Sequence, residues 1–310
     1  MESMIEVNQL TKRYRGATEN AVDGISFNVA PGEFFTLLGP NGAGKTTTIS
    51  ILTTTLVPTS GVARIAGHDL TRAASAVRQN VGIIFQRPSL DSNLSAEENI
   101  RFHAVLYGLY PFRPTFSTMP RAYQKQVHEL AALLNLERDI FKPVKKFSGG
   151  MRRKLEILRS LLHRPRVLFL DEPSAGLDPA SRRDLWQYLR QMRQDSGTTI
   201  FLTTHYLDEA EDADTICILN HGRVVSHGSP RDVKAQLIER YLLIDAEDRD
   251  QLRSELRRLE IEFSETPLFK IDLEKASVQQ IIRVIETPLT IVRTHMPTLE
   301  DAYLEILEQA

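Results

Sequence analysis

One cysteine in 310 residues, Cys217, leaves no disulfide framework and fits a reducing compartment. It sits in the apolar run Thr215-Ile216-Cys217-Ile218-Leu219, where it reads as a small core residue. No apolar stretch approaches the ~20 residues that a membrane-spanning helix requires, so any membrane role is expected to run through a partner. The start, Met1-Glu2-Ser3-Met4-Ile5-Glu6, has neither a basic n-region nor an apolar h-region, and no secretory signal is expected. Excess charge is missing as well: 38 Lys and Arg stand against 40 Asp and Glu. A net charge of −2 supplies no global field toward nucleic acid or an anionic membrane. Internal repeats and low-complexity tracts are absent.

What is present suits a sizeable core. Hydrophobic residues make up 42% of the chain, enough for one large domain or two ordinary ones. Strands are expected at Ile5 to Leu10, Ile25 to Ala30, Val62 to Ala66, Gly82 to Phe85, Arg166 to Leu170, Thr199 to Thr203 and Thr215 to Leu219. Helices between them, such as Ser181 to Arg193, imply an α/β fold with a parallel sheet. From about Ala96 to Leu136 the pattern is helical, interrupted by Pro111, Pro114 and Pro120. The aromatic stretch Tyr110 to Pro120 reads as a surface loop, either a partner contact or a solvated insertion. A boundary is placed near Lys234, giving domains 1–234 and 235–310. The second has a βαββαβ order, which matches a small ferredoxin-like α+β module. It shows no metal cluster, nucleophile or phosphate loop; a packing or dimerising role is expected of it, with binding of a small effector as the alternative.

The run Gly39-Pro40-Asn41-Gly42-Ala43-Gly44-Lys45-Thr46 fits the phosphate-binding loop G-x-x-x-x-G-K-[ST]. Glycines let successive N–H groups face one anion. Lys45 would add a cation at the β/γ-phosphates, and the Thr46 hydroxyl would reach Mg²⁺. Glu33 to Leu38 reads as a buried strand before the loop, and Thr47 to Leu52 as a helix whose positive end faces the phosphates.

A second apolar strand, Arg166 to Leu170, ends in Asp171-Glu172. Asp171 suits holding Mg²⁺, and Glu172 is placed to polarise a water beside the γ-phosphate. Acids at strand ends are common, and this pair gains its meaning beside the phosphate loop. The third segment is Lys146-Phe147-Ser148-Gly149-Gly150-Met151-Arg152-Arg153. Its Ser-Gly-Gly turn opens a helix and offers a hydroxyl, free N–H groups and a positive helix end. One nucleotide does not need two such anion sites from one chain. Two copies facing each other would let Ser148, Gly149 and Gly150 complete the partner's phosphate loop.

With these segments in order over residues 5 to about 230, the chain resembles the ABC transporter ATPase family. The resemblance implies a P-loop fold with a mainly parallel core sheet, an antiparallel β subdomain and a helical subdomain at about 88–160. It implies ATP and Mg²⁺, with Gly39, Pro40, Asn41, Gly42, Ala43, Gly44, Lys45, Thr46 and Thr47 around the nucleotide. Tyr14 would stack on adenine. Gln86, in Ile84-Phe85-Gln86-Arg87-Pro88, would touch Mg²⁺ and face the membrane partner. Asp178 matches the D-loop, and His205 matches the switch histidine at the γ-phosphate. The family signature Leu-Ser-Gly-Gly-Gln reads Phe147-Ser148-Gly149-Gly150-Met151 here, so an amide is lost while the anion-binding atoms remain.

Phe-Ser-Gly-Gly-Met-Arg-Arg, the appended module and the ending Met296 to Leu304 resemble drug-resistance exporter ATPases of the daunorubicin-resistance type. That implies a second ATPase subunit, separate transmembrane permease subunits and a place at the cytoplasmic face of the plasma membrane. The competing reading is a soluble ABC ATPase acting on a ribosome or a nucleic-acid complex. Chromosome-maintenance types split the nucleotide motifs with a long coiled coil, and translation-factor types carry two cassettes. Here one cassette holds Lys45 and Asp171 in one compact domain, and nucleic acid is not an expected partner.

Overall fold

The computed structural model describes residues 3–85, 89–175, 177–235, 241–265, 267–273, 277–295 and 298–309. The chain forms two compact units, Met1–His227 and Gly228–Ala310.

The first unit runs β1 (Ile5–Lys12), β2 (Val22–Val29), β3 (Phe34–Leu38), α1 (Lys45–Leu52), β4 (Ser60–Ile65), β5 (His68–Asp69), α2 (Ala74–Asn80) and β6 (Val81–Ile84). It continues through α3 (Ala96–Leu106), α4 (Arg121–Leu133), α5 (Gly149–Leu161), β7 (Val167–Asp171), α6 (Pro179–Ser196), β8 (Thr199–Thr204), α7 (Leu207–Ala210), β9 (Thr215–Asn220) and β10 (Arg223–Gly228).

Six strands form the core sheet in the order β10-β9-β3-β8-β7-β6. The β9-β3, β3-β8, β8-β7 and β7-β6 pairs are parallel. Every residue of β3, β7 and β8 is buried, as expected for parallel strands covered on both faces. An antiparallel sheet, β2-β1-β4-β5, packs on this core. An aromatic column joins the two: Phe27 lies 5.1 Å from Phe35, which lies 5.1 Å from Phe201. Because β3, β8 and β7 are neighbours, the segments leaving their C-terminal ends meet at one edge, the usual ligand position of such sheets.

The helical stretch expected over 96–136 is two helices. A capping box of Ser95 and Glu98 opens α3. The Tyr110–Pro120 segment contains a turn of 3₁₀ helix, Phe116–Thr118, and is pinned down. Arg101 donates to the Arg113 carbonyl at 2.7 Å, Tyr110 Oη donates to Gln126 at 3.0 Å, and the Phe116 ring packs on Tyr123, His128 and Phe141.

The second unit contains α8 (Pro230–Ala235), β11 (Tyr241–Ala246), α9 (Arg249–Arg258), β12 (Phe263–Glu265), β13 (Phe269–Asp272), α10 (Val278–Val284), β14 (Leu289–His295) and α11 (Leu299–Gln309). Helix α8 packs on α11, so the division falls at His227/Gly228, ahead of the boundary near Lys234 read from the sequence. The sheet is antiparallel in the order β12-β13-β11-β14, which is the ferredoxin-like arrangement. Leu242, Ile244 and Ala246 alternate toward a core shared with Leu252, Leu256, Phe269 and Ile281. Thr298 and Asp301 form a reciprocal cap at the start of α11.

Glu255 ties α9 to the turn before β14. Its carboxylate accepts from the Glu286 and Thr287 N–H groups, both at 2.9 Å, and from the Thr287 hydroxyl. Burial pushes this carboxyl up, but those hydrogen bonds hold it below its ordinary range. A carboxyl lowered in the folded state stabilises above its unfolded pKa and loses that contribution as pH falls through the folded value. Glu255→Ala is therefore expected to destabilise this unit at neutral pH by about 2 kcal/mol. The effect would shrink in acid. Faster hydrogen exchange of the β14 amides at pH 7 is the check; unchanged exchange would remove Glu255 from this role.

Candidate active site

The phosphate loop leaves β3 and enters α1. A Cβ on Gly39 would lie 2.4 Å from the Leu219 carbonyl oxygen. One on Gly44, whose φ is +105°, would lie 2.5 Å from the Ala21 carbonyl oxygen. Both positions demand glycine. Among the described residues, the N–H groups of Gly44, Lys45, Thr46 and Thr47 donate to no protein acceptor. No acidic side chain lies in the first turn of α1. This is a cradle of free donors at a positive helix end, and it fits phosphate.

Lys45 is buried, and its Nζ donates to the Gly39 and Pro40 carbonyls at 2.7 and 3.1 Å. It stands 4.0 Å from Glu172 Oε1. Burial lowers its pKa against the opposing pull of Glu172 and Asp171. Tyr14 Oη lies 3.2 Å from Thr47 Oγ1, which puts an exposed aromatic ring beside the loop. Asn41, Gly42 and Thr46 are exposed, and Ala43 is buried.

The end of β7 supplies the two acids. Asp171 accepts from Thr203 Oγ1 at 2.5 Å; burial raises its pKa and that hydrogen bond opposes the rise. Glu172 has φ +46°, a left-handed conformation unusual for a non-glycine residue and typical of functional sites. The Glu172 N–H, donating to the Thr203 carbonyl at 3.0 Å, helps to hold that turn. Its side chain is buried, with Oε1 3.1 Å from His205 Nδ1.

His205 follows β8 on a turn fixed by Thr204, whose hydroxyl accepts from the Tyr206 N–H at 2.9 Å and donates to Glu209 at 2.6 Å. Glu209 is buried, its carboxyl pushed up by that burial, and it also accepts from the Ser174 hydroxyl. It thereby joins the segment after Glu172 to the one carrying His205. Nothing in the sequence marks Thr203, Glu209 or Arg153 as part of this site, and a buried Glu209 looks like the acids around it.

The Ser-Gly-Gly segment opens α5. Ser148 caps α5, its hydroxyl accepting from the Met151 N–H at 3.2 Å. A Cβ on Gly150 would meet Ser181 Oγ at 2.6 Å, so α5 begins against the start of α6. Asp178 caps α6, accepting from the Ala180 and Ser181 N–H groups. Gly149 and Gly150 N–H groups find no acceptor among the described residues. No hydrogen bond among those residues links Ser148, Gly149 or Gly150 to Gly39–Thr46 of the same chain. Gln86 and Gly176 lie outside the described residues.

Among the described residues no group of three or more His, Cys, Asp or Glu side chains could hold a metal alone. Thr46 and Asp171 offer hydroxyl and carboxylate oxygens. That donor set fits Mg²⁺, which takes few protein ligands and completes its shell with phosphate and water.

The ABC transporter domain model matches residues 22–175. The daunorubicin/doxorubicin resistance ATP-binding protein DrrA of Streptomyces peucetius is 40% identical over 82% of this chain and 74% of its own length. The chain belongs to the ABC transporter ATP-binding family. The Nod factor export ATP-binding protein I of Paraburkholderia xenovorans is 34% identical across 98% of this ABC protein and 97% of its own length. Among solved structures, a dimeric post-hydrolysis state of an ATP-binding cassette bound to ADP and Pi superposes with a TM-score of 0.65. It is 25% identical and spans 73% of this chain and 98% of its own. This ABC protein is accordingly a nucleotide-binding ATPase with the P-loop fold of the family. Among its described residues no helix is long and apolar enough to cross a membrane.

Proposed function

We propose that this ABC ATPase is the ATP-hydrolysing subunit of an exporter, working as a head-to-tail dimer that closes over two ATP-Mg²⁺. The observation that carries the reading is a site split in two. Lys45, Asp171, Glu172 and His205 meet at the ends of β3, β7 and β8. Ser148, Gly149 and Gly150 form a separate donor set with no hydrogen bond to the phosphate loop of their own chain. A second copy in the reverse orientation would bring one set to the other.

The roles follow from the chemistry. The loop N–H groups and Lys45 hold the phosphates, and the Tyr14 ring stacks on the base. Thr46 and Asp171, with Gln86, would hold Mg²⁺, which neutralises charge on the phosphates. Glu172 orients a water and takes its proton as the water oxygen bonds the γ-phosphorus and the bond to ADP breaks. His205 holds Glu172 and faces the γ-phosphate. Asp178, capping α6 beside Gly150, sets the edge that meets the second subunit.

Separate permease subunits would carry the cargo and hold the ATPase at the cytoplasmic face of the plasma membrane. The relatives named for daunorubicin resistance and Nod factor export favour a drug, antibiotic, lipid or similar cargo. Purified protein is expected to release phosphate from ATP-Mg²⁺ and to copurify from membranes with a polytopic subunit. Copurification with ribosomes or nucleic acid, and no membrane subunit, would contradict the transport reading.

A further inference from the structure

Three consecutive basic residues, Arg152-Arg153-Lys154, follow the Ser-Gly-Gly segment, and the middle one is buried. The Arg153 guanidinium donates from all three nitrogens. Nε reaches the Pro173 carbonyl at 2.8 Å, and Nη2 reaches those of Glu172 and Asp171 at 3.3 and 3.5 Å. Nη1 reaches the Phe85 carbonyl at 2.5 Å and Glu156 Oε2 at 3.0 Å. Glu156, one turn along α5, is also buried, and its other oxygen accepts from the Ser89 N–H at 2.9 Å. Arg159 adds a bond to the Ser89 carbonyl at 2.9 Å.

This pair grips two places at once. On one side it holds the backbone of Asp171, Glu172 and Pro173, where Glu172 keeps its left-handed φ of +46°. On the other it holds Phe85 and Ser89, the described residues that flank Gln86-Arg87-Pro88. Both anchors lie on α5, the helix that opens with Ser148. A surface ion pair would tolerate loss of either member, but carbonyls gathered round one buried guanidinium have no water to replace it. Only arginine has the planar fork that reaches so many acceptors.

We propose that the Arg153–Glu156 pair is a positioning device that locks α5 to the turn carrying Glu172 and to both ends of the Gln86 segment, so that a displacement of the Ser148 end of α5 is passed to both. This rests on the hydrolytic reading of Glu172. The Arg153 guanidinium is taken up by backbone carbonyls and Glu156, and it acts through the backbone of Glu172.

The test compares wild type, Arg153→Lys and the paired Arg153→Met/Glu156→Leu protein. The pair removes both charges together, so no unpaired charge is left buried. Arg153→Lys keeps the charge but loses the fork. Each protein is assayed for ATP-Mg²⁺ hydrolysis per folded molecule, ATP affinity and thermal unfolding. Both variants are expected to bind ATP within about threefold of wild type, because the phosphate loop is untouched. Turnover should fall about 100-fold in the pair and about tenfold in Arg153→Lys, the scale of a displaced catalytic group. ATP should still protect the start of α5 from hydrogen exchange while its effect at Asp171–Ala175 is lost. A purely structural role would lower the unfolding temperature and leave turnover per folded molecule unchanged. If the pair does not fold, Arg153→Lys decides alone. Wild-type turnover in Arg153→Lys would overturn the proposal; no phosphate release by wild type would instead overturn the hydrolytic reading.

Discussion

Glu172→Gln is expected to bind ATP-Mg²⁺ within about threefold of wild type and to turn over about 10²- to 10⁴-fold more slowly. The substitution keeps the size of the side chain and one carbonyl oxygen beside His205 Nδ1, which lies 3.1 Å from the native Oε1. It removes the carboxylate proposed to take a proton from water. The turn that holds residue 172 at φ +46° is fixed by main-chain contacts to Thr203 and Arg153, which glutamine retains. The loss should therefore fall on turnover and spare affinity. Phosphate release near the wild-type rate would take Glu172 out of the catalytic role.

Lys45→Ala should act on the other parameter. ATP affinity is expected to fall about 100- to 1,000-fold, the scale of losing one member of a buried charge contact. Lys45 is the cation of the phosphate loop, and it is pre-set there by the Gly39 and Pro40 carbonyls. Its removal also leaves Glu172 and Asp171 without the positive charge that faces them both. Equilibrium titration with a fluorescent nucleotide measures the loss; affinity within threefold of wild type would contradict it. Acid should weaken nucleotide-Mg²⁺ binding to the unmodified protein in a related way. Burial raises the Asp171 pKa, so this carboxyl takes up a proton at a higher pH than a free aspartic acid and then cannot serve the cation.

Much of this site could be read from the chain because its parts sit at the ends of apolar strands. β3, β7 and β8 are short, fully buried and largely apolar, with threonines in β3 and β8, and Gly39, Asp171 and His205 stand at their C-terminal ends. Their convergence depends on the strand order, which pairs β3 and β7 on either side of β8, and no local pattern encodes that order. Buried charges were the least legible. Arg153 lies in a basic run that resembles a solvated face, and Glu209 and Glu255 look like ordinary helix acids. Each is satisfied by backbone groups or hydroxyls far away in sequence, such as Phe85, Ser174 and Thr287. The same holds for the edges of the fold. The two-residue β5 is too short for a period, the six residues of β10 do not alternate between buried and exposed, and α8 belongs to the second unit through its contact with distant α11. Asp178 is matched to the D-loop by resemblance, and within its own chain it caps α6.

The central claim is that one chain holds half of a working site. Light scattering on Glu172→Gln, with and without saturating ATP-Mg²⁺, tests it most directly. The account predicts a 35.1 kDa monomer without nucleotide and a dimer with it, the dimer vanishing when Ser148 is replaced by Arg. A Glu172→Gln protein that holds ATP and remains monomeric would contradict it.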